Sequence, residues 1–116
     1  HFTGGLTDVK PCYGAADVFC LPTLYDPFPN AALEAMASGL PVVTSTRCGA
    51  AELIVPGYNG FVCDALDVTA LAEAMRRAAE RSSEMGVAAR ATVEPLTFAA
   101  MSARLVALYQ HLLGAR

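Results

Sequence analysis

The sequence predicts an α/β domain: a partial, doubly wound (Rossmann-like) parallel sheet of about four strands with a helical tail. Three observations lead there. Short apolar runs bounded by Gly, Pro or Asp alternate with helix-like stretches. The runs are apolar throughout, as strands covered on both faces are. Beyond Ser83 the strand signal stops and only helix remains.

The first strand is predicted at His1 to Thr3, where the chain opens without Met inside an apolar element, as expected of an internal piece of something longer. Thr7 to Ala16 suits a helix, because Pro11 falls near its first turn, where a missing N–H does little harm. Asp17 to Leu21 is the second strand. Asn30 to Ser38 is a helix marked at both ends: Asn30 is a good N-cap residue, Gly39 a stop, and Pro41 lies beyond. Pro41 to Ser45 and Gly60 to Cys63 are the remaining strands, with a short helical turn at Ala50 to Ile54 between them. Asp67 to Ser82 is an amphipathic helix with Leu71, Ala74, Met75 and Ala78 on one face. In the tail, Pro95 interrupts the helical pattern before a long final helix from about Thr97 to Leu113. There Phe98, Met101, Leu105, Leu108 and Leu112 form an apolar stripe that must be covered, by this domain or by a part not present. Residues 1–82 are thus expected to form an incomplete sheet domain and 83–116 its helical tail. Four strands fall short of the roughly five or six of a doubly wound domain, so the N-terminal units are expected to be absent.

Composition narrows the function. The 116 residues, 54% hydrophobic and 16% charged with a mean hydropathy of +0.40, amount to one domain's worth of chain and exclude disorder. A net charge of −3 with no cationic stripe argues against nucleic acid as a partner. Arg76, Arg77 and Arg81 fall on one predicted helix and need only a solvated face. Charge-free stretches such as Ala35 to Thr46 are too short, and too broken by Gly and Pro, to span a bilayer, and no signal peptide is visible. Cys12, Cys20, Cys48 and Cys63 are scattered without a CxxC pair or a nearby His, so no metal site is expected. Cys20 and Cys63 lie in apolar runs as small hydrophobes, which suits a reducing, cytoplasmic setting.

The informative stretch is LPTLYDPFPNAALEAMASGLPVVTS, from Leu21 to Ser45. It leaves the carboxyl end of a strand, where open α/β sheets bind ligands, and enters a helix at Asn30. The first N–H groups of that helix, on Ala31, Ala32 and Leu33, point along its positive end, and the small alanines leave room for a phosphate. Glu34, about one turn inside, can accept hydrogen bonds from a diol such as a ribose. Asp26, on the loop, can reach hydroxyls further along the same ligand. The same residues also fit a purely structural role, since carboxylates complement a helix N-terminus and Asn caps it.

The whole stretch resembles the donor-binding domain of family 4 glycosyltransferases of the GT-B fold. Their signature, a carboxylate, seven residues and a glutamate before an alanine-rich helix and Pro-Val-Val, reads here Asp26 to Glu34 and then AMASGLPVV. The likeness continues through Thr46 to Ile54 (TRCGAAELI) and Gly57 to Val62 (GYNGFV), and includes AADV at 15–18 leading to Leu21 and Pro22; it covers roughly residues 1–75. The wording YDPFPNAALEA is similar to that of bacterial lipopolysaccharide-core glucosyltransferases.

The resemblance implies the donor-binding, C-terminal part of a retaining, metal-independent enzyme that needs no cofactor. Its donor would be a nucleotide diphosphate sugar, a UDP-sugar first among candidates and glucose among the sugars. The acceptor would be a cell-envelope glycan or lipid-linked glycan bound by an absent N-terminal domain, and the reaction would be cytoplasmic, including the inner face of the membrane for the full-length protein. Glu34 would bind the ribose, Asp26 the sugar hydroxyls, and the backbone from Pro29 through Asn30, Ala31, Ala32 and Leu33 the diphosphate. Asp26 stands where the family usually has Glu. The family's phosphate-binding Arg and Lys precede residue 1, and Arg47 is the one basic residue in the predicted cleft loops. Two other readings are a nucleotide-sugar binding module without catalysis and a UDP-sugar 2-epimerase of the same architecture; the AMASGLPVV wording speaks against the latter.

Overall fold

The computed structural model describes residues 1–115. Its centre is a three-stranded parallel sheet, β1 (Phe19–Leu21), β2 (Val42–Ser45) and β3 (Gly60–Cys63), in the order β1-β2-β3. The first of the four predicted strands, at His1 to Thr3, does not form. Those residues are exposed coil, with Phe2 wholly solvated, because so short an extended run has no stability without a ladder partner and a face to bury.

The middle strand is buried along its whole length, which is why it reads as an unbroken apolar run. Its side chains alternate between two cores. Val42 joins Ala32, Ala35, Met36, Ile54 and Ala89 on one face, and Val43 joins Phe61, Ala74, Ala78 and Met85 on the other. The small polar residues at its end are satisfied, Thr44 Oγ1 donating to the Leu21 carbonyl at 3.0 Å and Ser45 Oγ to that of Thr23.

Among the described residues, five α-helices and a 3₁₀ turn accompany the sheet. They are α1 (Lys10–Ala15), α2 (Asn30–Ala37), the 3₁₀ turn (Gly49–Leu53), α3 (Val68–Glu80), α4 (Ser82–Val93) and α5 (Phe98–Gly114). The stop expected after α2 is present, and α3 and α5 begin beside capping side chains. Gly39, at φ +81°, closes α2: its N–H bonds to Met36 O and that of Leu40 to Ala35 O, the paired bonds of a left-handed glycine cap. Asp67 caps α3 by accepting from the Ala70 N–H at 2.9 Å, and Thr97 caps α5 by accepting from that of Ala100 at 3.1 Å.

α3 covers one face of the sheet, while α2, backed by α4, covers the other. The arginines of α3 and of the junction after it stay on the surface. Arg76 pairs with Glu73 and Glu80, the Arg77 guanidinium sits 4.7 Å over the Phe61 ring, and Arg81 binds Glu84 and the Gly57 carbonyl. These hydrogen bonds hold Glu73 and Glu84 below the usual carboxylate range.

One buried polar residue ties the far loop to α4. Asn59 is fully buried; its Nδ2 donates to the Leu53 carbonyl at 2.9 Å and to Thr92 Oγ1 at 3.0 Å, and its Oδ1 accepts from the Val55 N–H at 2.8 Å. Replacing it by Ala removes all three bonds at once and leaves a void where the amide was fully buried. Asn59→Ala is expected to lower stability by about 3 kcal/mol, measured as a shift in the urea midpoint; a loss below about 1 kcal/mol would show that the network contributes little.

α5 packs differently. None of its residues is buried, and Phe98, Met101, Leu105, Leu108 and Leu112 are all exposed. Its length of about 26 Å accounts for much of the elongated shape, 54 × 29 × 29 Å. Taken as one stretch, Ser82–Gly114 is long and apolar enough by composition to cross a membrane. It folds as two helices broken around Pro95, the first of them buried through Met85, Ala88, Ala89 and Val93 against the domain. The four cysteines are free thiols, with Cys48 the buried one and Cys20 and Cys63 half-buried beside the α3 core. Burial pushes both of those thiols above their ordinary value.

Candidate active site

The site is assembled where the chain leaves β1. Beyond Leu21 the backbone turns outward, and two loops are locked side by side. Asp26 forms an isolated parallel bridge with Cys48: its N–H donates to the Arg47 carbonyl at 3.2 Å and its carbonyl accepts from the Gly49 N–H at 2.9 Å. Gly49 is required at that crossing, since a Cβ there would lie 1.8 Å from the Pro27 carbonyl oxygen. The Asp26 side chain is held as well, Oδ1 accepting from the Phe28 N–H at 3.1 Å in a tight Asx turn. One carboxylate oxygen is thereby committed to the loop. Arg47 is exposed on the neighbouring strand of loop and forms no salt bridge among the described residues.

The loop then becomes α2. Pro29, half-buried and extended, occupies the N-cap position, and Asn30 is the first helical residue rather than the cap; among the described residues no side chain caps this end. The expectation that Asn30 caps the helix is therefore corrected. Pro29 between Phe28 and Asn30 fixes the extended backbone a cap requires, which moves the helix start one residue earlier, from Ala31 to Asn30. A second correction concerns Ala32. It is fully buried and its N–H bonds to the Pro29 carbonyl at 3.2 Å, because the first turn tightens onto its own cap. The N–H groups left without a protein acceptor among the described residues include those of Asn30 and Ala31. Leu33 and Ala31 are half-buried and Glu34 is exposed.

Glu34 lies at the rim of a groove of about 630 Å³ between α2 and α5, lined by Asn30, Leu33, Leu96, Phe98 and Met101, with Arg104 on its far side. On its other side, Tyr13 Oη donates to Glu34 Oε2 at 3.2 Å. Burial, and then this bond to a carboxylate, raise the Tyr13 phenol above its ordinary value. Tyr13 and Gly49 were not legible as site residues. Neither lies in the Asp26 to Glu34 stretch, and only the packing of α1 and of the 3₁₀ turn brings them to it.

The arrangement thus sets one half-committed carboxylate, two free backbone donors and one exposed carboxylate in order along a single loop and helix start. That order suits a ligand with an anionic middle and hydroxyl-bearing ends.

Comparison with known proteins gives the same direction. The family described as "Glycosyl transferases group 1" matches residues 1–81. The chain is 38% identical over 99 residues to a glycogen synthase of Mycobacterium tuberculosis, covering 84% of this chain and 24% of that protein. It is 31% identical over 118 residues to a GDP-mannose-dependent alpha-mannosyltransferase of Mycolicibacterium smegmatis, covering 99% of this chain and 32% of that protein. Among solved structures, sucrose-phosphate synthase of Thermosynechococcus elongatus superposes with a TM-score of 0.80 at 31% identity, over 93% of this chain and 28% of that one. The chain spans about a quarter to a third of the length of these relatives.

Proposed function

This chain belongs to the group 1 glycosyl transferases, and from that premise we propose that it is the donor-binding part of a retaining, metal-independent enzyme that moves a sugar from a nucleoside diphosphate to a glycan acceptor. The observation that carries this reading is the order of groups at the carboxyl end of β1: Asp26, the free N–H groups of Asn30 and Ala31, and Glu34.

Each group has a part. Glu34, an acceptor at every oxygen, receives the two hydroxyls of the ribose. The diphosphate lies over the start of α2, where N–H donors and the helix dipole meet part of its charge. Asp26, with one oxygen held by Phe28 N–H, turns the other to hydroxyls of the sugar and so aims its anomeric carbon. In the transfer, the bond from that carbon to the diphosphate oxygen breaks, the acceptor hydroxyl forms the new bond on the same face, and its proton leaves with the departing diphosphate. Charge growing on the diphosphate is met by donors already in place, which is where the rate gain arises. The relatives include a GDP-mannose-dependent enzyme and a glycogen synthase, so guanine and uracil donors, and mannose and glucose, are the first to try. Acceptors range from an α-glucan to a lipopolysaccharide-core or other cell-envelope glycan.

The test is transfer by the full-length protein. UDP-glucose and GDP-mannose are offered with maltooligosaccharide or envelope glycan acceptors, and release of UDP or GDP is followed. Acceptor-dependent release is expected from the full-length protein and none from residues 1–116 alone, which hold only the donor half. Transfer by the isolated 116 residues would refute that division. Epimerisation of a UDP-sugar without an acceptor would replace the reading with that of a 2-epimerase.

A further inference from the structure

α1 is a short, largely exposed helix, yet it holds Tyr13 in one place. The ring packs edge-on against Phe19 of β1, with centroids 6.1 Å apart at 60°, and rests against the core between the sheet and α2. From there the hydroxyl reaches across to α2. It lies 3.2 Å from Glu34 Oε2 and 3.5 Å from the Ala31 carbonyl. A phenol has one proton to give, and the shorter bond, to a charged acceptor, takes it.

Glu34 has little else to hold it. Its side chain is exposed, and among the described residues it joins no salt bridge. A free glutamate has three rotatable bonds and loses their freedom when it binds a ligand. A carboxylate that receives one bond from Tyr13 at Oε2 keeps Oε1 and a lone pair of Oε2 for two further donors. Two adjacent hydroxyls are such a pair.

We propose that Tyr13 is a positioning residue, which holds the Glu34 carboxylate in the orientation that receives the ribose diol of the donor. The proposal rests on the reading of Glu34 as the ribose-binding group. Tyr13 itself touches no part of the donor and acts through Glu34. Its phenol stays protonated, and so remains a donor, past the ordinary tyrosine range.

The experiment compares ribonucleotides with nucleotides that lack the diol. Binding of UDP and GDP, and of 2′,3′-dideoxy-UDP and dideoxy-GDP, is measured by calorimetry on the full-length protein and on Tyr13→Phe, Glu34→Ala and the double variant. The Phe ring keeps the contact with Phe19, and the ratio of the two affinities does not depend on the fraction folded. The wild type should prefer the ribonucleotide, and Glu34→Ala should abolish the preference. Tyr13→Phe should weaken ribonucleotide binding about fivefold, the scale of one ordinary hydrogen bond, leave dideoxynucleotide binding unchanged, and add nothing in the Glu34→Ala background. Equal weakening of both nucleotides, an intact ribose preference in Tyr13→Phe, or a further loss in the double variant would overturn the role of Tyr13 while leaving that of Glu34 standing. A wild type without ribose preference would overturn the reading of Glu34, and this proposal with it.

Discussion

Gly86→Val should cost the domain about 4 kcal/mol, the largest loss expected from any single substitution considered for this protein. Gly86 is buried in α4 where that helix crosses the end of α2, and a Cβ on it would lie 2.0 Å from the Gly39 carbonyl oxygen. The obstacle is backbone, so no side-chain rotation relieves it. Gly39 cannot retreat either, because its N–H and that of Leu40 close α2 on Met36 and Ala35. The helices must separate by more than 1 Å, which loosens Ala32, Ala35, Met36, Ala89 and Val93 together, all buried at that contact. Overpacking of a tight core costs about 1–3 kcal/mol and sometimes more. The gain in helix propensity on leaving glycine, under about 1 kcal/mol, does not offset it. Urea denaturation followed by circular dichroism reads the loss. Val87→Ala, next in sequence but exposed, is the control and should stay within about 0.5 kcal/mol; equal stability of Gly86→Val and the control would refute the close crossing of α2 and α4.

Glu34→Ala in the full-length protein should weaken nucleoside diphosphate binding by about 1–3 kcal/mol, which is on the order of 5- to 150-fold, the scale of lost hydrogen bonds to a charged group. The same loss should appear in transfer at low donor concentration. Stability is expected to change little, because the Glu34 side chain is exposed and its one side-chain partner among the described residues is the Tyr13 hydroxyl. Binding and folding therefore separate at this residue, which makes the result easy to interpret. Unchanged affinity by calorimetric titration would mean that Glu34 merely complements the positive end of α2.

Much of this site was legible in the chain because it is local. Asp26 to Glu34 is nine consecutive residues, and the loop, the helix start and the two carboxylates all lie within them. What the stretch could not disclose is which of its groups are already engaged. Asn30 was expected to cap α2 and instead begins it, since Pro29 supplies the extended backbone at the cap. Ala32 was expected to offer its N–H and spends it on Pro29. The half of Asp26 taken by Phe28, and the neighbours Gly49 and Tyr13, follow from loop and helix packing that no periodicity encodes.

The sequence by itself determined the elements and their class. Val42 to Ser45 had to be a covered strand, Gly39 had to stop a helix, and Asp67 and Thr97 had to start theirs, because caps, stops and hydrophobic runs act within a turn or two of chain. Only the tertiary structure decided three further things: that the extended His1 to Thr3 finds no ladder, that Gly86 lies against Gly39 across 47 positions, and that Tyr13 meets Glu34 across 21. Those depend on how the sheet orders its strands and stacks α1, α2 and α4 beside them. Contacts between distant residues are set by that topology and not by the local chemistry of either partner.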